Sequence, residues 1–172
     1  RMEWMVLSML KLARIEAGAI QFEKQPCSLY AIVAQAKESV AYLTEKRGQH
    51  IDVQIDEKQM LACDGDWLTE AIINLLKNAS DYSGDQTTIH IRTEDNPMYT
   101  RIYVKDEGCG IAESELKNIF KRFYRINKEV NPNSVGIGLS LTKSIVEGMG
   151  GKISVRSEIG KYTEFILTFV HT

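Results

Sequence analysis

Hydrophobic positions change period several times along the chain, and each change marks an element. Met2, Met5, Met9 and Leu12 recur at three- and four-residue steps, so the chain opens inside a helix. Trp4, Val6, Leu7, Leu10 and Ile15 widen that stripe beyond what one small domain covers, which predicts contact with another helix of a bundle or a dimer. Gly18 stands where a helix-ending glycine would, and Gln25-Pro26 marks an extended crossing. Ser28 then caps a second helix predicted over about 29–47. A boundary is expected near residues 18–27, separating a first unit over 1–25 from a second over 26–172.

After Gly48 the period falls to two. Ile51, Val53 and Ile55 alternate, and a second short strand follows over 59–63, so the two are expected to be neighbours in a sheet. Asp64-Gly65-Asp66 reads as turn and cap, after which Leu68, Ile72, Leu75, Leu76 and Ala79 return to helical spacing. Residues 87–93 and 98–104 alternate around Asp95-Asn96-Pro97, a hairpin. A glycine-bearing loop at 106–110, a short helix near 113–119, a polar stretch at 125–134, a helix over about 136–149 and strands near 152–157 and 163–170 complete the chain. Strands gathered into one mixed sheet with helices on one face predict an α+β, two-layer sandwich.

Composition narrows the function classes. The 172 residues are 44% hydrophobic and 26% charged, with 21 Lys plus Arg against 23 Asp plus Glu and a formal charge of −2. Neither a basic excess nor a polybasic tail is present, which argues against a nucleic-acid partner while leaving room for a local anion site. No apolar run approaches the ~20 residues that span a bilayer. Cys27, Cys63 and Cys109 match no metal-ligand spacing and form no disulfide framework, so a reducing, cytoplasmic setting is expected for this part.

The candidate chemistry lies in four segments whose order matters more than any one of them. A helix carries Asn74 and Asn78, four apart and therefore on one face. Next come DEGCGI at 106–111, IFKRFYR at 119–125, and SVGIGLSLTKSIVEGMGGKI at 134–153. Taken alone, D-x-G-x-G is often only a tight turn, and a G-x-G at a helix start is often a packing device, although it leaves backbone N–H groups free to meet an anion. In this order they resemble the N, G1, F and G2 boxes of sensor histidine kinases, with DWLTEAIINLLKNASDY at 66–82 similar to the first. The resemblance spans about 28–169. The stretch LKLARIEAGAIQFEKQ at 10–25 further resembles the end of the second helix of the dimerisation and phosphoacceptor domain.

That resemblance implies the ATP-binding Bergerat fold of the GHKL superfamily, with ATP and Mg²⁺ as cofactors. It implies that the Asn78 side-chain oxygen binds Mg²⁺ and that Asn74 faces phosphate oxygens. A lone neutral amide is a weak ligand, so the ion is expected to arrive with the nucleotide. Asp106 would accept the adenine amino proton, with Gly108, Gly110 and Ile111 shaping the pocket, Tyr82 packing on the ring and Thr163 from the third-glycine segment beside it. Lys117, Lys121, Arg122, Arg125 and Lys128 form a basic run without an intervening acid. Beside a phosphate site, Arg122 or Arg125 would meet the γ-phosphate. Phe120 and Phe123 are expected as packing anchors, with Phe123 also at the nucleotide site. Residues 127–134 would be the ATP lid, and Gly136, Gly138 and Leu139 would offer N–H groups to the phosphates.

Three departures from the family pattern stand out. Ser134 replaces the first lid glycine, the third-glycine segment keeps only Gly160, and Asp81 stands where many relatives carry a base. The acceptor histidine is also missing, since His50, His90 and His171 lie in or beside predicted strands and none precedes an acid. The implied protein is a histidine kinase acting on a histidine of its own dimerisation domain and relaying phosphate to a response regulator, within a membrane-anchored homodimer. One alternative is a GHKL ATPase of the gyrase or mismatch-repair type, but those use a glutamate where Asn74 stands. The other is a scaffold that has lost ATP, against which the retained Asn78, Asp106 and four glycines speak together.

Overall fold

The computed structural model describes residues 2–125 and 136–171. The expected lid at 127–134, with Lys128 and Ser134, falls outside the described residues. Helix α1 (Met2–Glu16) ends where Gly18, at φ +71°, turns left-handed, with Ala19 N–H donating to the Arg14 carbonyl at 2.9 Å and Gly18 N–H to Ile15 at 3.0 Å. This paired closure satisfies the carbonyls that a helix end leaves open. Strand β1 (Gln25–Ser28) follows, and the Ser28 hydroxyl accepts from Ala31 N–H at 3.1 Å to cap α2 (Leu29–Ser39). The predicted second helix is interrupted at Val40, whose ψ of 2° leaves the helical range, and resumes as α3 (Ala41–Lys46).

Five strands form the main sheet: β2 (His50–Gln54), β4 (Thr88–Asp95), β5 (Tyr99–Asp106), β7 (Tyr162–Val170) and β6 (Lys152–Glu158), in that spatial order. Strands β2 and β4 run parallel and the other pairs antiparallel, so the sheet is mixed. The hairpin at Asp95-Asn96-Pro97 forms as its turn residues dictate, with the Asn96 side chain accepting from the Met98 and Tyr99 N–H groups. Alternation places Ile51, Ile89, Ile91, Ile102, Val104, Phe165 and Leu167 on one buried face. Over them lie α4 (Gly65–Tyr82), capped by Asp64, and, beyond the short α5 (Glu113–Leu116), α6 (Gly138–Gly148), with α2 packed on α4. The α+β sandwich is therefore as expected.

One pairing differs. Strand β3 (Met60–Cys63) is not a neighbour of β2 but pairs antiparallel with β1 in a separate two-stranded sheet, Pro26 opposite Ala62. Alternation tells which side of a strand is apolar, and it is silent on which strand lies alongside. The Cys27 thiol donates to the Cys63 carbonyl at 3.4 Å across this pair; burial and the adjacent Cys27 push the Cys63 thiol up to about 12, and both cysteines are free.

Helix α1 packs on α6, with Leu12 inside the common core, and Phe22 stacks edge-on against Trp67 at 5.8 Å. Trp4, Val6, Leu7, Met9 and Leu10 stay exposed along the rest of the helix. The sequence pattern predicts that this stripe meets another helix; here it is a largely exposed face of α1. No helix among the described residues is long and apolar enough to cross a membrane.

Candidate functional site

Helix α4 is the spine of the site. Asn74, Asn78 and Tyr82 follow one another at four-residue steps, so about 12 Å of helix rise separates the first from the last. Asn74 is 7% exposed and its Nδ2 has no hydrogen-bond partner. It lines a cleft of about 380 Å³ between α1, α2 and α4 with Trp4, Lys11, Glu70 and Lys77. Lys11 pairs with Glu70 at 2.6 Å and Lys77 lies over the Trp4 ring at 5.5 Å. Burial pulls the Lys77 ammonium below its usual range. Asn78 is half-buried one turn further along.

At its C-terminal end α4 meets the 106–111 loop. The Tyr82 carbonyl accepts from Cys109 N–H at 3.3 Å, and a Cβ at Gly108 would collide with that carbonyl and approach the Asp106 Oδ1 to 2.7 Å. Gly110 turns left-handed at φ +71° against the backbone of Glu158 and Ile159. The loop is held from the other side by Gly160 N–H on the Cys109 carbonyl and Ile111 N–H on the Ser157 hydroxyl, both at 2.7 Å. These close approaches require glycine at both positions.

Asp106 is 2% exposed and accepts one hydrogen bond, from Gly108 N–H at 2.9 Å. Burial raises its carboxyl from 3.8 to about 7, and the Gly108 N–H only partly opposes that shift. A buried carboxylate with spare lone pairs is an acceptor in need of a donor. Thr163 faces it in register on β7 and is 4% exposed. Ile111 is buried beside the loop. Burial, and then the charge of Asp81, push the Tyr82 phenol up, and the charge of Arg125 partly opposes them.

The Arg122 guanidinium pairs with Glu16 at the end of α1. Phe120 is a packing anchor, edge-on to Phe165 at 6.1 Å with Lys143 over its ring. Phe123 is not, contrary to expectation: it is 53% exposed and left-handed at φ +68°, held by its N–H on the Gly136 carbonyl at 3.0 Å. Gly136, itself at φ +74°, has no room for a Cβ beside Phe123 and Tyr124. The start of α6 lies directly after it. No side chain caps this helix at Ile137, so the first-turn N–H groups at Gly138 and Leu139 keep their capacity to bind an anion.

Among the described residues no group of three or more His, Cys, Asp or Glu side chains could hold a metal by itself. Asn78 offers a single neutral oxygen, and such a donor fits Mg²⁺ that keeps waters and phosphate oxygens as its other ligands. The sequence reading missed two contacts, the Glu16 to Arg122 pair and the Ser157 junction. The second had a signal: Ser157 is polar on the inward side of β6, where Ile153 and Val155 precede it.

Comparison with known proteins follows the same lines. Residues 63–172 match the family described as histidine kinase-, DNA gyrase B- and HSP90-like ATPase. The sensor protein SrrB of Staphylococcus aureus is 30% identical over 169 residues, which are 97% of this chain and 29% of SrrB. The chain thus spans under a third of the curated relative it matches. The histidine kinase AdeS of Acinetobacter baumannii superposes with a TM-score of 0.81 at 19% identity, over 96% of this chain and 76% of AdeS. A nucleotide-free catalytic domain of the histidine kinase ThkA gives 0.76 at 23% identity, over 88% and 96%. Full-length ShkA in complex with AMPPNP gives 0.82 at 23% identity, over 96% and 35%.

Proposed function

The chain belongs to the histidine kinase-, DNA gyrase B- and HSP90-like ATPase family, and on that premise we propose that it binds Mg-ATP and donates the γ-phosphate to a histidine outside this chain. The observation that carries the reading is the Asp106 carboxylate, buried with lone pairs to spare at the floor of a loop that closes only with glycine at 108 and 110. Adenine supplies the missing donor through its amino group. Thr163 and Ile111 border the base and Tyr82 covers it, while the phosphates run along α4 toward Asn78 and the start of α6.

Asn78 would hold Mg²⁺, which neutralises phosphate charge and orients the γ-group when it arrives with the nucleotide. The rest of the work is positioning. Leu139 and Gly138 N–H groups hold phosphate oxygens, Arg125 lies near the Tyr82 end, and Arg122 exchanges Glu16 for a phosphate oxygen. The Asn74 amide, lacking a partner for its Nδ2, has donor capacity left for the same anion. Asn74 rather than a glutamate one turn before Asn78, and Glu70 tied to Lys11, favour transfer over hydrolysis: no carboxylate stands there to activate water.

His50 and His90 lie in strands, His90 between Glu107 and Asp52, and His171 follows β7. None of the three precedes an acid on a helix, as the family's acceptor does, so the acceptor is assigned to the dimerisation domain of the whole protein, a membrane-anchored homodimer serving a response regulator. The 1–25 segment is the end of that domain's second helix and 26–172 the catalytic unit. Mg-ATP is expected to raise the melting temperature of the 172-residue domain. At a hundredfold excess over Kd the gain is about 3 kcal/mol, or roughly 5–10 °C at this size. A melting curve unmoved by millimolar Mg-ATP would leave the scaffold reading standing instead.

A further inference from the structure

Ser157, Thr163 and Asp106 lie side by side at one end of the covered sheet face. Ser157 opposes Thr163 in the β6 and β7 pairing, and Thr163 opposes Asp106 in the β7 and β5 pairing. The Ser157 hydroxyl has three partners: it accepts from Ile111 N–H at 2.7 Å, donates to the Tyr162 carbonyl at 2.7 Å and meets the Thr163 hydroxyl at 3.0 Å. A hydroxyl carries one proton, a backbone N–H only donates and a carbonyl only accepts. With its proton on Tyr162, Ser157 can meet Thr163 only as an acceptor. The Thr163 proton is therefore spent on Ser157, and Thr163 offers nothing but lone pairs to its other neighbour, the pocket of Asp106.

We propose that Ser157 is a positioning residue that sets the hydrogen-bond polarity of the base pocket, holding Thr163 as an acceptor beside Asp106 so that a 6-amino purine is chosen over a 6-oxo purine. This rests on the reading of the Asp106 pocket as the base site. Both side chains then accept, so the exocyclic amino group of adenine, or a water that it anchors, finds partners. The carbonyl oxygen of a 6-oxo purine at the same place faces lone pairs alone. Ser157 also ties the 106–111 loop to β6 through Ile111, so loss of the hydroxyl could act merely by loosening the loop. Base selectivity separates the two roles.

The test is titration calorimetry of the 172-residue domain with Mg-ATP and with Mg-ITP, at pH 8.5, where Asp106 is ionised. Wild type is expected to prefer ATP. In Ser157→Ala the Thr163 proton is free to turn into the pocket and meet the inosine oxygen, so the ATP-to-ITP preference is expected to fall about fivefold, the yield of one ordinary hydrogen bond. In Thr163→Val the ATP affinity is expected to drop severalfold with ITP unchanged, because an acceptor-only Thr163 gives ITP nothing to lose. This second variant decides the matter should Ser157→Ala not fold. Equal losses for both nucleotides in Ser157→Ala, an unchanged preference, or weakened ITP binding in Thr163→Val would overturn the role of Ser157 while leaving the base site intact. A wild-type domain that binds no ATP, or binds ATP and ITP alike, overturns the base-site reading and this proposal with it.

Discussion

Asp106→Asn is expected to lose ATP and gain stability in the same step. The carboxyl is buried and titrates near 7 in the folded chain against 3.8 for the ordinary group. Between those values the folded chain holds a proton that the unfolded chain has released, so stability falls as pH rises from about 4 to 7 and is level above. At pH 8 the full cost of the buried charge is present, on the order of 4 kcal/mol as an upper bound. Asparagine keeps an oxygen for the Gly108 N–H and carries no charge. The variant is expected to melt several degrees above wild type at pH 8, with the gap closing toward pH 5. Its ATP affinity is expected to fall ten- to a hundredfold, because a charged acceptor contributes roughly 1.5–3 kcal/mol to a hydrogen bond with the base. Wild-type ATP affinity should itself rise as pH increases through 7, a dependence that the asparagine variant loses. Calorimetry and melting curves across pH check each part, and a variant that is less stable at pH 8 contradicts the buried-charge account.

Gly110→Ala is expected to damage fold and site together. Any side chain there sits at φ +71°, at a cost of about 1–2 kcal/mol for an L-residue. The added Cβ also collides with the Glu158 carbonyl and would lie 2.7 Å from the Ile159 Cα, backbone atoms that cannot rotate aside. To make room, the turn must give up the 2.7 Å bond from Gly160 to Cys109. A combined loss of about 3 kcal/mol or more follows, roughly 6–12 °C in melting temperature for a domain of this size. Binding of ATP should be lost with it. Gly138→Ala is the contrasting case: among the described residues nothing lies within 4 Å of its added Cβ, and it is expected to melt close to wild type.

These two residues also show how far the sequence could be read. The helix carrying Asn74 and Asn78, the hairpin at Asn96, the Ser28 and Asp64 caps and the alternation of the main strands rest on local chemistry, and all were legible. Asp106 and its glycines were visible as a motif, but their reason was not: that Gly108 must clear the Tyr82 carbonyl and Gly110 the Glu158 backbone depends on contacts far apart in the chain. The same limit explains β3, whose alternation was clear and whose partner was not. Phe123 is expected as an anchor from sequence but is 53% exposed with a left-handed backbone, and neither property has a local signal in the sequence. Arg122 gave no sign of Glu16, which lies 106 residues away. Ser157 could have been noticed as a polar residue on the inward side of a strand, a position that usually carries a reason.

The central claim is that this domain donates the γ-phosphate of ATP to a histidine outside itself. The most direct measurement mixes it, with γ-labelled Mg-ATP, with a longer form of the protein that retains the acceptor histidine but carries Asp106→Asn. Label is expected on the acceptor histidine of the longer partner, none on the 172-residue domain alone, and none when the domain too carries Asp106→Asn. Label on the isolated domain, or steady release of inorganic phosphate with an unlabelled acceptor, would contradict it.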